Sequence, residues 1–467
     1  MQRRIISVFM LAMINVAAIL NITNLPVTAQ QGFSLLFYYA FAGLGFFLPA
    51  ALISAELATT WPEKGGVYVW VKEALGTKWG FLAIWLQWLE NTVWLPTTLS
   101  FIAATLSYII YPPLMQSKIY FLCIILGIFW PVTLLNFFGM RISGWISTLC
   151  VIIGTMIPAF IIIVLGLIWY FGGHPLQIET SWHSLLPSFS SFQPFSILAA
   201  VLLGFCGIEM SAVHTEEVQN PQKSYVKAIS LSAIIIVSFA SLGALSIAFV
   251  VPSSSIELTS GTIEGFKQFF AAYHMSWALP IVGGLMLIGC LGLMSTWIAG
   301  PVKGLVVTAE DGNLPPLLQK RNSYNMPVAL LLLQACIISG LAFVIFYFPS
   351  ISSSYFLFLQ LASMLYLIMY VLMFISAIIL RYKRSEIKRV FKIPFGKIGL
   401  WGFSLLGIVS SVFAFILGFI PPDNLTKEKA HFYSIFLIIS IIVCSAVPFI
   451  LYRFKKDHWI SKNSSKE

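Results

Sequence analysis

Two carboxylates lie well inside apolar runs of this chain, Glu90 and Glu209, and a third, Glu56, lies nearer the end of one. Burying a carboxylate in hydrocarbon is costly, so each is a functional candidate by default. The chemistry open to them is proton uptake and release. Glu209 follows the glycine-interrupted stretch Phe205-Cys206-Gly207-Ile208, which favours recognition or gating over packing. Glu90 has no such motif beside it, and structural pairing within a bundle is an equal reading. His214 titrates near neutrality by residue type and is a candidate pH sensor, with a structural histidine as the plainer reading. Tyr366 and Tyr370 stand at i, i+4 on one helix face. With Trp297 they are candidate aromatic walls, against which stands ordinary core packing.

Nothing in the residues points to catalysis or a metal. The six histidines are scattered, and HExxH, GxSxG and P-loop patterns are absent. The six cysteines, at 123, 150, 206, 290, 336 and 444, fall in apolar runs without a CxxC pair and read as small buried hydrophobes. No catalytic residue, metal or cofactor is therefore expected. A channel should carry a filter sequence or rings of charge, and neither is visible.

The elements that must carry these residues follow from composition. Of 467 residues, 59% are hydrophobic and 9% charged, against about 25% charged in soluble domains, so lipid is the solvent for most of the chain. Spanning takes about 20 apolar residues. Twelve such runs are present, roughly 5–26, 33–58, 80–111, 119–138, 145–172, 192–215, 227–251, 277–306, 326–348, 354–381, 398–420 and 432–453. Strand alternation is absent, so the expected class is an all-α membrane protein. The start, Met1 to Leu20, lacks a small-residue cleavage site and reads as the first membrane helix rather than a signal peptide. Alternating the spans from a cytoplasmic N-terminus leaves only Lys118, Lys267, Lys427 and Lys429 outside and the other 23 of 27 basic residues inside. That asymmetry is the positive-inside rule, and it puts both termini in the cytoplasm. The net charge of +10 then reflects a basic face beside anionic lipid and needs no nucleic-acid partner. The outer segments 173–191 and 252–276 read as Ser- and Pro-rich loops, and 382–397 as a basic linker.

The most specific stretch runs from Glu56 through Trp61-Pro62-Glu63-Lys64-Gly65-Gly66 to Trp70, then Gly76-Thr77-Lys78-Trp79-Gly80-Phe81. Physically it is a helix end, a tight glycine turn, an amphipathic cytoplasmic segment and a second helix entry. It resembles the link between the second and third helices of the amino acid–polyamine–organocation superfamily. Phe205 to Glu209, followed by His214-Thr215-Glu216-Glu217 and Asn220-Pro221, resembles that family's broken sixth helix. Trp297 to Pro301, then Val307 to Pro315, resembles its eighth helix and exit loop, and Phe419 to Asn424 follows the eleventh span. The resemblance runs from the first span to the twelfth and is nearest to the bacterial glutamate/GABA antiporter subgroup.

The resemblance implies one twelve-span transporter domain over 1–453 of the LeuT type. It comprises inverted five-helix repeats at about 5–172 and 192–381, extra helices at about 398–453, and a short basic cytoplasmic tail, 454–467. Helices 1 and 6 should be interrupted at mid-membrane, near Ile19, Leu20 and Asn21 and near Cys206, Gly207 and Ile208. The residues agree, since Asn15, Asn21, Thr23 and Asn24 make the first span polar and Gly204, Gly207 and Glu209 mark the sixth. Corresponding positions in two halves are where a transporter site is expected, and polar packing between helices is the competing role. The substrate's carboxylate would meet helix N-termini and its ammonium the freed carbonyls. The implied activity is alternating-access exchange, in the bacterial inner membrane, of a glutamate-like amino acid for a related one or its decarboxylated, GABA-like amine. Substrate, counter-substrate and lipid are the implied partners, and a homodimer is compatible with this. The rival on the same fold is a proton- or sodium-coupled symporter, with Ser295 and Thr296 as oxygen ligands. Three departures stand out. Helix 1 lacks a glycine-rich break, Leu293 replaces the acidic residue four positions before Trp297, and the tail after Arg453 is too short for a cytoplasmic plug.

Overall fold

The protein is described from a computed structural model covering residues 7–61, 65–138, 149–190, 192–210, 221–346, 348, 350–422 and 425–460. Among the described residues the chain is helical, with no strand. In chain order we number α1 (Val8–Ile19), α2 (Leu25–Ala29), α3 (Gly32–Thr60), α4 (Val67–Leu75), α5 (Thr77–Ile110), α6 (Lys118–Asn136), α7 (Leu149–Phe171) and α8 (Leu198–Leu203). There follow α9 (Lys227–Val250), α10 (Gly261–Ala272), α11 (Ser276–Asn313), α12 (Val328–Phe346), α13 (Ile351–Lys383), α14 (Gly396–Leu417) and α15 (Lys427–Arg453). Ten of these are long and apolar enough to cross a membrane: α3, α5, α6, α7, α9 and α11 to α15. At the places of the first and sixth apolar runs the backbone leaves the helix at Leu20 and at Gly204, so among the described residues no single helix there reaches that length.

The most buried pair, α5 and α13, pack along each other at the centre. Against them lie α11 on α5 and α8 on α13, while α1 packs on α9 and α9 on α7. At the periphery, α15 turns Ile435, Ile438, Ile439, Ile442 and Val443 outward, as a lipid-facing helix must. Where α7 crosses α11 the backbones nearly touch. A Cβ on Gly154 would stand 2.1 Å from the Gly289 nitrogen, the close approach that small residues permit between membrane helices.

Two segments differ from expectation. The stretch 252–276 is not a plain loop but contains α10, whose Ile263, Phe266, Phe269 and Phe270 are buried. Their i, i+3, i+6, i+7 spacing is the apolar stripe of an amphipathic helix. The linker 382–397 is not merely a solvated basic run. Arg389 is buried, and with Arg381 it holds Glu56 at the end of α3. Arg381 donates Nε to Glu56 Oε1 at 2.8 Å and Nη2 to Oε2, and the Ile393 N–H donates to Oε2 at 2.9 Å. At the same end, Asp311 accepts from Lys72 and from Tyr68. Burial, and then the Asp311 carboxylate, raise the Tyr68 pKa and keep that phenol a donor. The tail folds back here as well. Gln319 Nε2 donates to the Trp459 carbonyl at 2.7 Å, and Lys455 Nζ to the Asp311 carbonyl at 2.8 Å.

Candidate functional site

The first interruption follows α1. The Leu20 N–H still closes on the Val16 carbonyl, but Leu20 and Asn21 have extended ψ values of 112° and 114°. Asn21 then restarts the chain as a cap, its Oδ1 accepting from the Thr23 N–H at 3.0 Å, the bond that makes Asn a strong N-cap. Pro26 in the first turn of α2 suits a helix start. Tyr355 of α13 donates to the Thr23 carbonyl at 3.0 Å and so satisfies a group left over by the break.

The second interruption follows α8. The N–H groups of Gly204, Phe205 and Cys206 bond back three residues, tightening the end. Gly207 has φ +107°, where side chains other than hydrogen are strained, and a Cβ on it would stand 3.1 Å from the Trp297 indole. Its N–H leaves the helix and donates to Tyr370 Oη at 2.9 Å. Tyr370 in turn donates to Glu209 Oε2. Tyr366 donates to Glu209 Oε1, as does Gln87 Nε2 at 3.0 Å. Glu209 is thus a buried carboxylate served by three donors from two other helices, which is how a buried anion is made tolerable.

One face of α5 completes the site. Gln87, Glu90, Asn91 and Trp94 recur at i, i+3, i+4 and i+7, so they line one stripe. Asn91 donates to the Trp297 carbonyl, and the Trp94 and Trp297 rings meet at 6.1 Å and 61°. Glu90 is 4% exposed, and its Oε2 has no hydrogen-bond partner. Between these helices lies a cavity of about 40 Å³, room for about three waters. The helices are therefore drawn in around the site.

Ile19, Asn21, Glu90, Cys206, Trp297 and Tyr366 line this cavity together, with Leu293. Gly207 backs Trp297, and Glu209 and Tyr370 stand behind Tyr366. Leu20 faces a smaller cavity of about 20 Å³, shared with Asn21, and Ile208 is buried without lining either. His214 lies outside the described residues, as do Glu216 and Glu217. Asn15 donates to Ser232 of α9 at 3.3 Å, a bond between helices. Ser295 donates to Asn136 of α6 at 3.4 Å, a bond between helices, and Thr296 donates to the Gly292 carbonyl of its own helix at 3.3 Å. Gln87, Asn91 and Trp94 were not expected from the sequence, although polar residues at helical spacing inside an apolar run are a readable signal.

Facing interruptions in two apolar stretches, with a buried polar cluster between them, are the architecture of a membrane transport protein. Residues 5–442 match the amino acid permease family, and the chain belongs to that family. It is 44% identical over 459 residues to an uncharacterized transporter of Legionella pneumophila, covering 98% of both chains. It is 30% identical over 466 residues to a glutamate/gamma-aminobutyrate antiporter of Lactococcus lactis, covering 98% of this chain and 92% of that one. It is 25% identical over 302 residues to a probable agmatine/putrescine antiporter of the same species, covering 64% and 63%. The protein is accordingly a multi-pass plasma-membrane transporter of amino acids, not an enzyme.

Proposed function

We propose that the protein is an antiporter, exchanging a glutamate-like amino acid for a related amino acid or its decarboxylated amine by alternating access. The observation that carries this reading is the cluster at the second interruption, where Gly207, Glu209, Tyr366, Tyr370 and Gln87 are tied together opposite the break at Leu20 and Asn21. Irregular backbone at membrane depth is tolerated only where it is buried in protein or lines a cavity, and here it borders one. The antiporter named for glutamate and gamma-aminobutyrate, matched over nearly the whole chain, supports exchange and the substrate class.

The scaffold in this reading has twelve spans over 1–453, with both termini cytoplasmic and the tail 454–467 on that side. Ten spans are the long helices, and α1–α2 and the α8 stretch are the interrupted first and sixth. Spans 1 to 5 and 6 to 10 form inverted LeuT-type repeats, and α14 and α15 are the two extra helices. The moving bundle is α1–α2, α3, α8 and α9, and α5, α6, α11 and α12 form the scaffold against which it rocks.

Counterflow in proteoliposomes tests the exchange. Vesicles are loaded with glutamate, GABA, glutamine or buffer, and entry of labelled glutamate and labelled GABA is followed with and without sodium. Entry that needs internal substrate is the expected result. Equal entry into empty vesicles overturns exchange, and dependence on a sodium or proton gradient would then identify a symporter.

A further inference from the structure

Among the described residues, three carboxylates are buried within the apolar runs, and two are matched. Glu56 has Arg381 and Arg389, and Glu209 has three donors. Glu90 is the exception: it is 96% shielded, stands midway along α5, lines the cavity, and its Oε2 lacks a partner. Gln87, one turn away on the same face of α5, bonds Glu209 at 3.0 Å. Among the described residues, no Lys, Arg or His lines the cavity. An ionised carboxylate buried without a counter-charge is strongly disfavoured, and a ligand that brings a cation stabilises that ionised form when it binds.

The rest of the lining suits a cation too. Trp94, Trp297 and Tyr366 put aromatic side chains in the lining, a residue type that attracts ammonium groups when desolvated. Asn24 contributes a side-chain amide whose oxygen an ammonium can also use. A second carboxylate on a ligand would instead meet Glu90 with no basic residue among the described lining, and like charges placed together are disfavoured.

We propose that Glu90 is the counter-charge for a substrate ammonium, so that the site favours ligands of net charge zero or above, such as ω-amino acids and diamines, over those with a second carboxylate. This rests on reading the cavity as the transport site. It also says which side of the exchange is held more tightly: the decarboxylated partner.

The test is equilibrium binding of GABA, putrescine and glutamate to the purified full-length protein in nanodiscs, which needs no exchange. Wild type should bind GABA or putrescine about tenfold or more tightly than glutamate. Glu90→Gln should weaken both amines by about 30-fold or more and leave glutamate unchanged or tighter. Glu90→Asp, which keeps the charge, should recover part of the loss and serves if the first variant does not fold. Equal affinity of wild type and Glu90→Gln for the amines overturns the proposal. So does an equal loss for all three ligands, or a wild type that prefers glutamate or binds none. If counterflow fails while Glu90→Gln loses only the amines, exchange falls and the role of Glu90 stands.

Discussion

Tyr366 and Tyr370 both donate to Glu209, yet removing their hydroxyls should have unequal effects. Tyr366→Phe takes one donor from Glu209 Oε1, which Gln87 still serves at 3.0 Å. Tyr370→Phe takes the only side-chain donor that the described residues place on Oε2 and also strands the Gly207 N–H, which has Tyr370 Oη as its acceptor at 2.9 Å. A stranded buried donor costs about 1–3 kcal/mol. The drawn-in arrangement should therefore open roughly 5- to 150-fold more readily in Tyr370→Phe than in Tyr366→Phe. Cys206 reports the opening, being buried at the break beside Gly207. In a background without the other five cysteines, its rate of alkylation by a small polar maleimide should rise by that factor, up to the limit where the open form predominates. Equal rates in the two variants, or a faster rate in Tyr366→Phe, would show that Gly207 does not depend on Tyr370 and would refute the reasoning.

Gly207→Ala combines a strained φ of +107° with a Cβ 3.1 Å from Trp297. Strain of about 1–3 kcal/mol should lower the kcat/KM of uptake about tenfold at normal expression, and wild-type uptake would argue against a rigid break. Glu56→Gln leaves Arg381 and Arg389 facing a neutral partner at a site where both are largely shielded. Breaking a buried pair costs about 3–5 kcal/mol, so the midpoint of heat-induced loss of monodisperse protein in detergent should drop by several degrees. An unchanged midpoint would make that cluster ornamental.

Much of the fold was legible because hydropathy alone dictates where a helix crosses lipid. Each of the ten long helices falls on an expected run, within a few residues at most ends. The breaks were legible in part, through Gly207 and through asparagines that cap as readily as they pack. Expectation failed where partnership is three-dimensional. The run 382–397 reads as a basic linker because nothing in the sequence says that Arg389 meets Glu56, more than three hundred residues away. The stripe Gln87, Glu90, Asn91 and Trp94 was within reach of helical periodicity, since all four fall on one face of α5. What periodicity could not tell is that Gln87 finds Glu209 while Glu90 Oε2 finds no partner among the described residues.

The same geometry constrains how a substrate carboxylate can enter. Helix breaks offer free N–H groups, but two of those nearest the cavity are already occupied. Asn21 Oδ1 holds the Thr23 N–H, and Tyr370 Oη holds that of Gly207. A carboxylate that takes either has to replace a side-chain oxygen, so its net gain is the difference between a charged and a neutral acceptor rather than a full bond. At Gly207 the exchange releases Tyr370, which also serves Glu209. Carboxylate binding at that break is therefore coupled, through one hydroxyl, to the hydrogen bonding of a buried acid on the same chain segment.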